Sequence, residues 1–349
     1  MRAFGVAAAL LAAATGWGQT SARDLMLRSL QKNGQVRCVL IQTYVVTDGR
    51  TGPVRLKLEM DGEGRSRRTV LQPIRMEGNV WIDDGRRWGA LSPDQKRLLI
   101  QPSPSRSRLD PKLRMALIDK NYTLSLVGPS TIAGRKTTTI LAQPKDEDLA
   151  ARRFFIDPEN GLILQSEVGD LKGKMDKTIE THLVSFPKRL DPSIFQIPEG
   201  DDGLEVVKTD WPKRLRDPSK ATPLVGFAPR LKPDLPSGFI ITEVHLVGNE
   251  DAAFLAVRLT DGLALVTVYQ WDTDKKLTNL PSRRGHGVDG EGVCYYAVGD
   301  VSSDMRRRLA EAFLRLGPPA KARIGEGFAF TVPTPEPPAK VGGRRGNRR

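Results

Sequence analysis

A chain of 349 residues is long enough for one large hydrophobic core or two moderate ones, and two is the expectation at this length. Its formal net charge of +13 would suit nucleic acid, anionic lipid or an acidic protein. The arginines are scattered, however, and aromatic residues are only 6%, too few for base stacking, which argues against nucleic acid.

The chain opens with Arg2, then an apolar run from Ala3 to Ala14 and small residues after it. That run is shorter than the ~20 residues a membrane span needs and has the build of a secretory signal peptide, with cleavage after Gly18 or Ala22. No cysteine follows the run, which argues against a lipid-anchored lipoprotein. The expected compartment is therefore the periplasm. Cys38 and Cys294 would meet oxidising conditions there, and two readings stay open. They form a bridge closing a very long loop, worth ~4 kcal/mol in the chain-entropy model, or they are two simply buried thiols.

Ser21 to Asn33 reads as a helix, capped by Ser21 or Asp24 and stopped at Asn33-Gly34. Val36 to Val46 is a long β-type segment. Val54 to Met60 alternates strictly, placing Val54, Leu56, Leu58 and Met60 on one buried face. Short strands at Asn79–Ile82, Arg87–Leu91 and Arg97–Gln101 follow, separated by Asp-Gly and Pro-Asp turns, the mark of an antiparallel meander. Asp110 to Asn121 reads as a second helix with Pro111 at its first position; Leu113 and Leu117 are expected to point at the sheet, with Met115 or Ile118 as further candidates. Beyond it, two strands meet at Thr131–Arg135, and a hairpin turns at Pro158–Gly161.

Seven prolines between 190 and 235 mark a linker, within which Leu204–Val207 can dock locally. A second α+β unit follows, with an Asp261-Gly262 hairpin and a helix from Asp304 to Leu316 that carries Arg306, Arg307 and Arg308 opposite its apolar side. Residues 328–332 suggest a last strand, and 333–349 a disordered basic tail. The expected organisation is thus a signal peptide at 1–22, a first domain at 23–198, a linker at 199–234, a second domain at 235–332 and the tail.

Reactive chemistry is hard to find. His182, His245 and His286 stand apart, and the carboxylate pairs Asp83-Asp84, Glu147-Asp148 and Asp201-Asp202 lie in turns. The glycine-rich stretch around His286 lacks the Gly-Lys-Ser ending of a phosphate cradle, and no hydrolase or zinc-peptidase motif occurs. A binding protein with no enzymatic activity, cofactor or metal is the expectation.

The stretch from Asn121 to Phe186 carries a family likeness. Asn121-Tyr122, Ala133-Gly134-Arg135, a strand ending in Ile156-Asp157, then Asn160-Gly161-Leu162 with Glu167 five residues beyond, resembles the MucB/RseB family. Further on, Asp191-Pro192-Ser193-Ile194-Phe195, Leu235-Pro236-Ser237-Gly238-Phe239 and Thr260-Asp261-Gly262-Leu263-Ala264 are similar to that family's motifs, with Thr260 in place of serine. The segment 144–153 departs from it by lacking an aromatic-rich run, and 200–234 matches nothing in it.

The resemblance implies an α+β fold: an N-terminal curved antiparallel sheet, an unclosed β-barrel like that of the LolA lipoprotein carriers with helices on its concave face, and a smaller C-terminal α+β domain. It also implies a regulator that binds the extracytoplasmic segment of an anti-sigma factor, or a lipid-like envelope signal. The alternative it leaves is a lipid or lipoprotein carrier taking an acyl chain. Expected pocket-lining residues are Val54, Leu56, Leu58, Trp81 and Trp88, which would otherwise be ordinary core. Expected partner contacts are Arg135, Arg306, Arg307 and Arg308, where Arg135 would otherwise be a corner residue bonding its own loop. Association into a homo-oligomer stays open.

Overall fold

A computed structural model describes residues 21–45, 52–104, 109–169, 174–200, 203–209, 212–231, 233–248, 253–274, 285–290, 292–315 and 323–325. The expected signal sequence, last strand and basic tail lie outside them, apart from residues 21 and 22.

Helix α1 (Ala22–Lys32) begins where the Ser21 hydroxyl accepts the Asp24 amide, and ends at Asn33. Strands β1 (Arg37–Val45), β2 (Pro53–Asp61), β3 (Ser66–Gln72), β4 (Val80–Asp83), β5 (Arg87–Leu91) and β6 (Arg97–Pro102) form the antiparallel meander. Helix α2 (Pro111–Asn121) is capped by Asp110, whose carboxylate accepts the Lys112 and Leu113 amides. It runs straight into β7 (Tyr122–Ile132), which turns at Ala133-Gly134 into β8 (Arg135–Pro144). Strands β9 (Arg152–Ile156), β10 (Ile163–Gly169), β11 (Met175–Ser185) and β12 (Glu205–Lys208) complete a 12-stranded sheet of order β12-β6-β5-β4-β3-β2-β1-β11-β10-β9-β8-β7. The sheet is curved and unclosed, with β12 and β7 as its edges.

Cross-strand partners share a face, so the register maps the sheet's two surfaces. One rung runs Leu40, Leu58, Arg68, Trp81, Ala90, Leu99; the next runs Cys38, Met60, Ser66, Asp83, Trp88, Gln101. Val54, opposite Tyr44, and Leu56, opposite Gln42, lie on this same surface. Further along it, Ile140, Ala142 and Ile156 join one core cluster with Ala22, Leu25 and Met26 of α1 and Met115 and Ile118 of α2. Helix α1 also lies over the β9–β10 turn, because a Cβ on Gly161 (φ +80°) would sit 3.4 Å from the Arg28 carbonyl. On the sheet's other surface Ile197 packs with Val80, Ile82, Leu98 and Ile100, and the adjoining turn Pro192–Phe195 buries Phe195 beneath the Arg65 guanidinium.

The second sheet comprises β13 (Lys213–Arg214), β14 (Ile240–Val247), β15 (Phe254–Thr260), β16 (Leu265–Asp272), β17 (His286–Gly290), β18 (Val293–Gly299) and β19 (Arg323–Gly325), in the order β13-β14-β15-β16-β18-β17-β19. A short helix α3 (Thr222–Val225) contacts β15, and α4 (Ser303–Leu314) packs Met305, Leu309, Ala310 and Phe313 into the core beside Val268, Tyr295 and Ala297.

The structure adds to one expectation, corrects a second and decides between two readings that the sequence leaves open. The proline-rich stretch is not only a connector: β12 pairs parallel with β6 of the first sheet, and β13 pairs with β14 of the second. Leu113 is exposed rather than turned to the sheet, because α2 buries Met115, Leu117, Ile118 and Asn121 between neighbours on both sides. Cys38 and Cys294 are not bridged; both are free, and they lie in separate buried clusters.

Candidate functional site

The two lobes meet around the α2–β7 junction. Asn121 Nδ2 donates to the Asp261 carbonyl at 2.8 Å and to the Gly238 carbonyl at 3.4 Å. Next to it, Tyr122 Oη donates to Asp261 Oδ2 at 2.7 Å. The other carboxylate oxygen of Asp261 accepts the Leu263 and Ala264 amides, so this wholly buried acid is satisfied at both oxygens. Burial, and then the Asp261 charge, push the Tyr122 hydroxyl far above its ordinary pKa. Arg114 Nε donates to the Gly262 carbonyl at 2.8 Å, and burial lowers that guanidinium's pKa. Gly262 (φ +105°) must be glycine here: a Cβ would lie 2.9 Å from the Ile118 amide nitrogen.

Two ion pairs flank this contact. Arg152, nearly buried, grips Asp300 through its carboxylate at 2.7 Å and its carbonyl at 2.8 Å. Arg308 of α4 pairs with Asp148 of the first lobe.

Beside the junction lies an open cleft of about 730 Å³. Lys120, Asn121, Lys145 and Asp146 form its first-lobe wall, and Asp234 with the 237–241 segment forms the other; Leu231, Leu235 and Phe239 supply apolar surface. Lys120 and Lys145 are exposed. Lys145 Nζ donates to the Asp119 carbonyl, and among the described residues neither ammonium has a carboxylate partner. Asp146, by contrast, accepts the Asp148 amide at 3.0 Å and sits in the field of Arg308. A second, more apolar cavity of about 400 Å³ lies between α1 and β7, lined by Leu25, Arg28, Leu126, Val127, Pro129 and neighbours.

Residues 77–195 match the family model of the MucB/RseB N-terminal domain. Over that stretch the chain is similar to the domain. The family resemblance read from residues 121–186 is thereby borne out. A crystal structure of MucB shares the fold at a TM-score of 0.57 and 18% identity, covering 84% of this chain and 98% of that one. The complex of Pseudomonas aeruginosa MucA and MucB gives 0.55 and 18%, over 88% and 99%. MucB bound to MucA(peri) gives 0.51 and 16%, over 88% and 100%. No curated protein matches.

The MucB/RseB motifs read in the sequence turn out to touch one another: Asn121-Tyr122, the 235–239 opening and the 260–264 turn meet at this junction. The expected pocket residues Val54, Leu56, Leu58, Trp81 and Trp88 do share one sheet surface. Leu56 and Leu58 are packed with Cys38, Leu40, Leu162 and Leu164, with Trp81 against them, whereas Trp88 is half-buried. Among the expected partner contacts, Arg135 pairs with Asp157 at 2.8 Å and Glu159 at 2.5 Å and lies over the Phe186 ring. Arg307 is held by Asp304 and Glu311 of its own helix, Arg306 donates to the Gly299 and Val301 carbonyls, and Arg308 joins the lobes. Sequence reasoning passed over Lys120 and Lys145. The available signal was their position at either end of the hairpin that begins at Tyr122.

Proposed function

We propose that this protein is an exported, non-catalytic regulator that holds an extended extracytoplasmic segment of an anti-sigma factor in the cleft between its lobes, and so controls an envelope-stress sigma factor from the periplasm. The observation that carries this reading is the cleft beside the Tyr122–Asp261 junction, with Lys120 and Lys145, which have no carboxylate partner among the described residues, beside apolar Leu231, Leu235 and Phe239. Acidic side chains of a bound segment would meet the lysines, and its aliphatic side chains the apolar wall. The likeness to MucB, which forms complexes with MucA, supports the same partner class. Among the described residues no helix is long and apolar enough to cross a membrane.

A lipid signal or lipoprotein acyl chain is the second reading. It rests on the surface carrying Val54, Leu58, Trp81 and Trp88, where Leu99 remains 37% exposed beside Ala90.

The test is purification of the tagged full chain from envelope extract, followed by native mass spectrometry. A co-purifying membrane-protein fragment, lost in a Lys120→Glu/Lys145→Glu variant, supports the regulator. Lipid alone, retained by that variant, replaces it with the carrier.

A further inference from the structure

Strand β7 is an 11-residue sheet edge, Tyr122–Ile132, without a single charged residue, in a chain whose residues are 27% charged. Sheet edges are ordinarily guarded by charge, and the opposite edge, β12, carries Glu205 and Lys208. On β7 the reverse holds. Leu126 is 41% exposed and Val127 58% exposed; a bulge between Leu126 and Gly128 leaves Val127 with no residue opposite it on β8. One side of the β7 backbone is laddered to β8, and among the described residues no strand lies on the other.

The two cavities lie at successive points along this strand. The inter-lobe cleft takes in Lys120 and Asn121 where β7 starts, and the apolar cavity takes in Leu126, Val127 and Pro129 farther along. From Tyr122 to Pro129 is about 23 Å of strand. Cations stand around this path: Lys120 and Lys145 at its beginning, Arg28 in the apolar cavity, and Lys136 opposite Thr131. Arg28 donates to the Glu159 carbonyl, while the Glu159 carboxylate is taken by Arg135, so among the described residues Arg28 has no carboxylate partner.

We infer that the free edge of β7 is a strand-addition site for an extended peptide of alternating acidic and aliphatic residues, continuous with the segment in the inter-lobe cleft. This deepens the reading above and rests on it. Backbone hydrogen bonds along residues 123–128 supply affinity without regard to sequence, and the cavity between α1 and β7 selects an aliphatic side chain. Pro129 has no amide hydrogen to donate, so the added strand ends there. The cations select acidic side chains in the alternate positions.

The probe is a dodecapeptide alternating valine and glutamate, labelled with fluorescein at its N-terminus, with an equally labelled valine–lysine peptide as control; the full chain is titrated into each by fluorescence anisotropy, and binding is followed by hydrogen exchange. The expected result is slowed exchange across residues 123–128, and affinity weaker by about tenfold or more both for the valine–lysine peptide and for the Val127→Glu variant, with Val127→Ile close to wild type. Thermal melting of Val127→Glu at the wild-type temperature would confirm that it folds. Binding that protects residues 233–241 and leaves 123–128 unprotected overturns strand addition while sparing the inter-lobe reading. Equal binding of both peptides, or binding of neither, also overturns it. The inter-lobe reading is judged separately, by whether the partner fragment that the wild-type chain captures is lost in the Lys120→Glu/Lys145→Glu variant.

Discussion

The Tyr122 hydroxyl donates to the Asp261 carboxylate at 2.7 Å, joining the first residue of β7 to a hairpin 139 residues later. Both side chains are buried, and the carboxylate has no access to water. Removing one partner of such a bond leaves the other desolvated and unmet, which costs about 1–3 kcal/mol. Tyr122→Phe should therefore lower stability by roughly that amount, and Asp261→Ala, which also strands the Leu263 and Ala264 amides, by more. Urea unfolding of the two single variants and the double variant measures the coupling. A coupling near zero would show that the bond does not join the lobes energetically.

Gly262→Ala tests the same junction from the backbone. The added Cβ meets the Ile118 amide, and φ of +105° is outside the range of an ordinary alanine. The lobes should separate, seen as a larger radius of gyration in small-angle X-ray scattering and faster proteolysis of the connector between 209 and 234. Unchanged scattering and cleavage would mean that the turn carries no docking load.

His245 makes stability depend on pH. Burial, then the charges of Arg258 and Arg214, hold its pKa down at about 4, against 6.5 for an ordinary histidine. Its neutral form is thus favoured in the folded chain, so the unfolded chain takes up the extra proton as pH falls through 6.5. The stabilisation is full above 6.5, declines as pH falls, and is gone near pH 4, for a loss of up to about 3 kcal/mol. Urea midpoints from pH 7.5 to 4.0 should fall accordingly, and His245→Gln should flatten that part of the curve. An equally steep curve in the variant would assign the dependence to other groups.

Cys38 and Cys294 should be inert thiols. Burial raises Cys38 to about 12 and pushes Cys294 higher still, with Asp289 adding to the shift. The nucleophile is the thiolate, so neither should react with a thiol reagent at neutral pH until the chain unfolds, when both should. A protein in which no thiol titrates after denaturation without reductant would instead contain a bridge.

Most secondary elements were legible because their signals are local. The Ser21 and Asp110 caps, the alternation of Val54 to Met60 and the Asp-Gly turns each act within a few residues, and the strands they predict are present. The sheet surface shared by Val54, Leu56, Leu58, Trp81 and Trp88 follows from the same period of two. Leu113 was misplaced because α2 is packed on opposite sides, which leaves no single apolar stripe to read.

What residue order determined by itself was the antiparallel meander, the helix boundaries and the MucB/RseB likeness of residues 121–186, since all of these rest on neighbours in the chain. Tertiary structure alone decided that Asn121-Tyr122 meets Thr260–Ala264, that Arg152 and Arg308 tie the lobes together while Arg306 and Arg307 serve their own surroundings, and that β12 and β13 extend separate sheets. Those outcomes depend on partners up to 160 residues apart. Hydrogen bonds and ion pairs at such separation leave no periodic trace, because burial and geometry, which select among many polar candidates, exist only once the chain has folded.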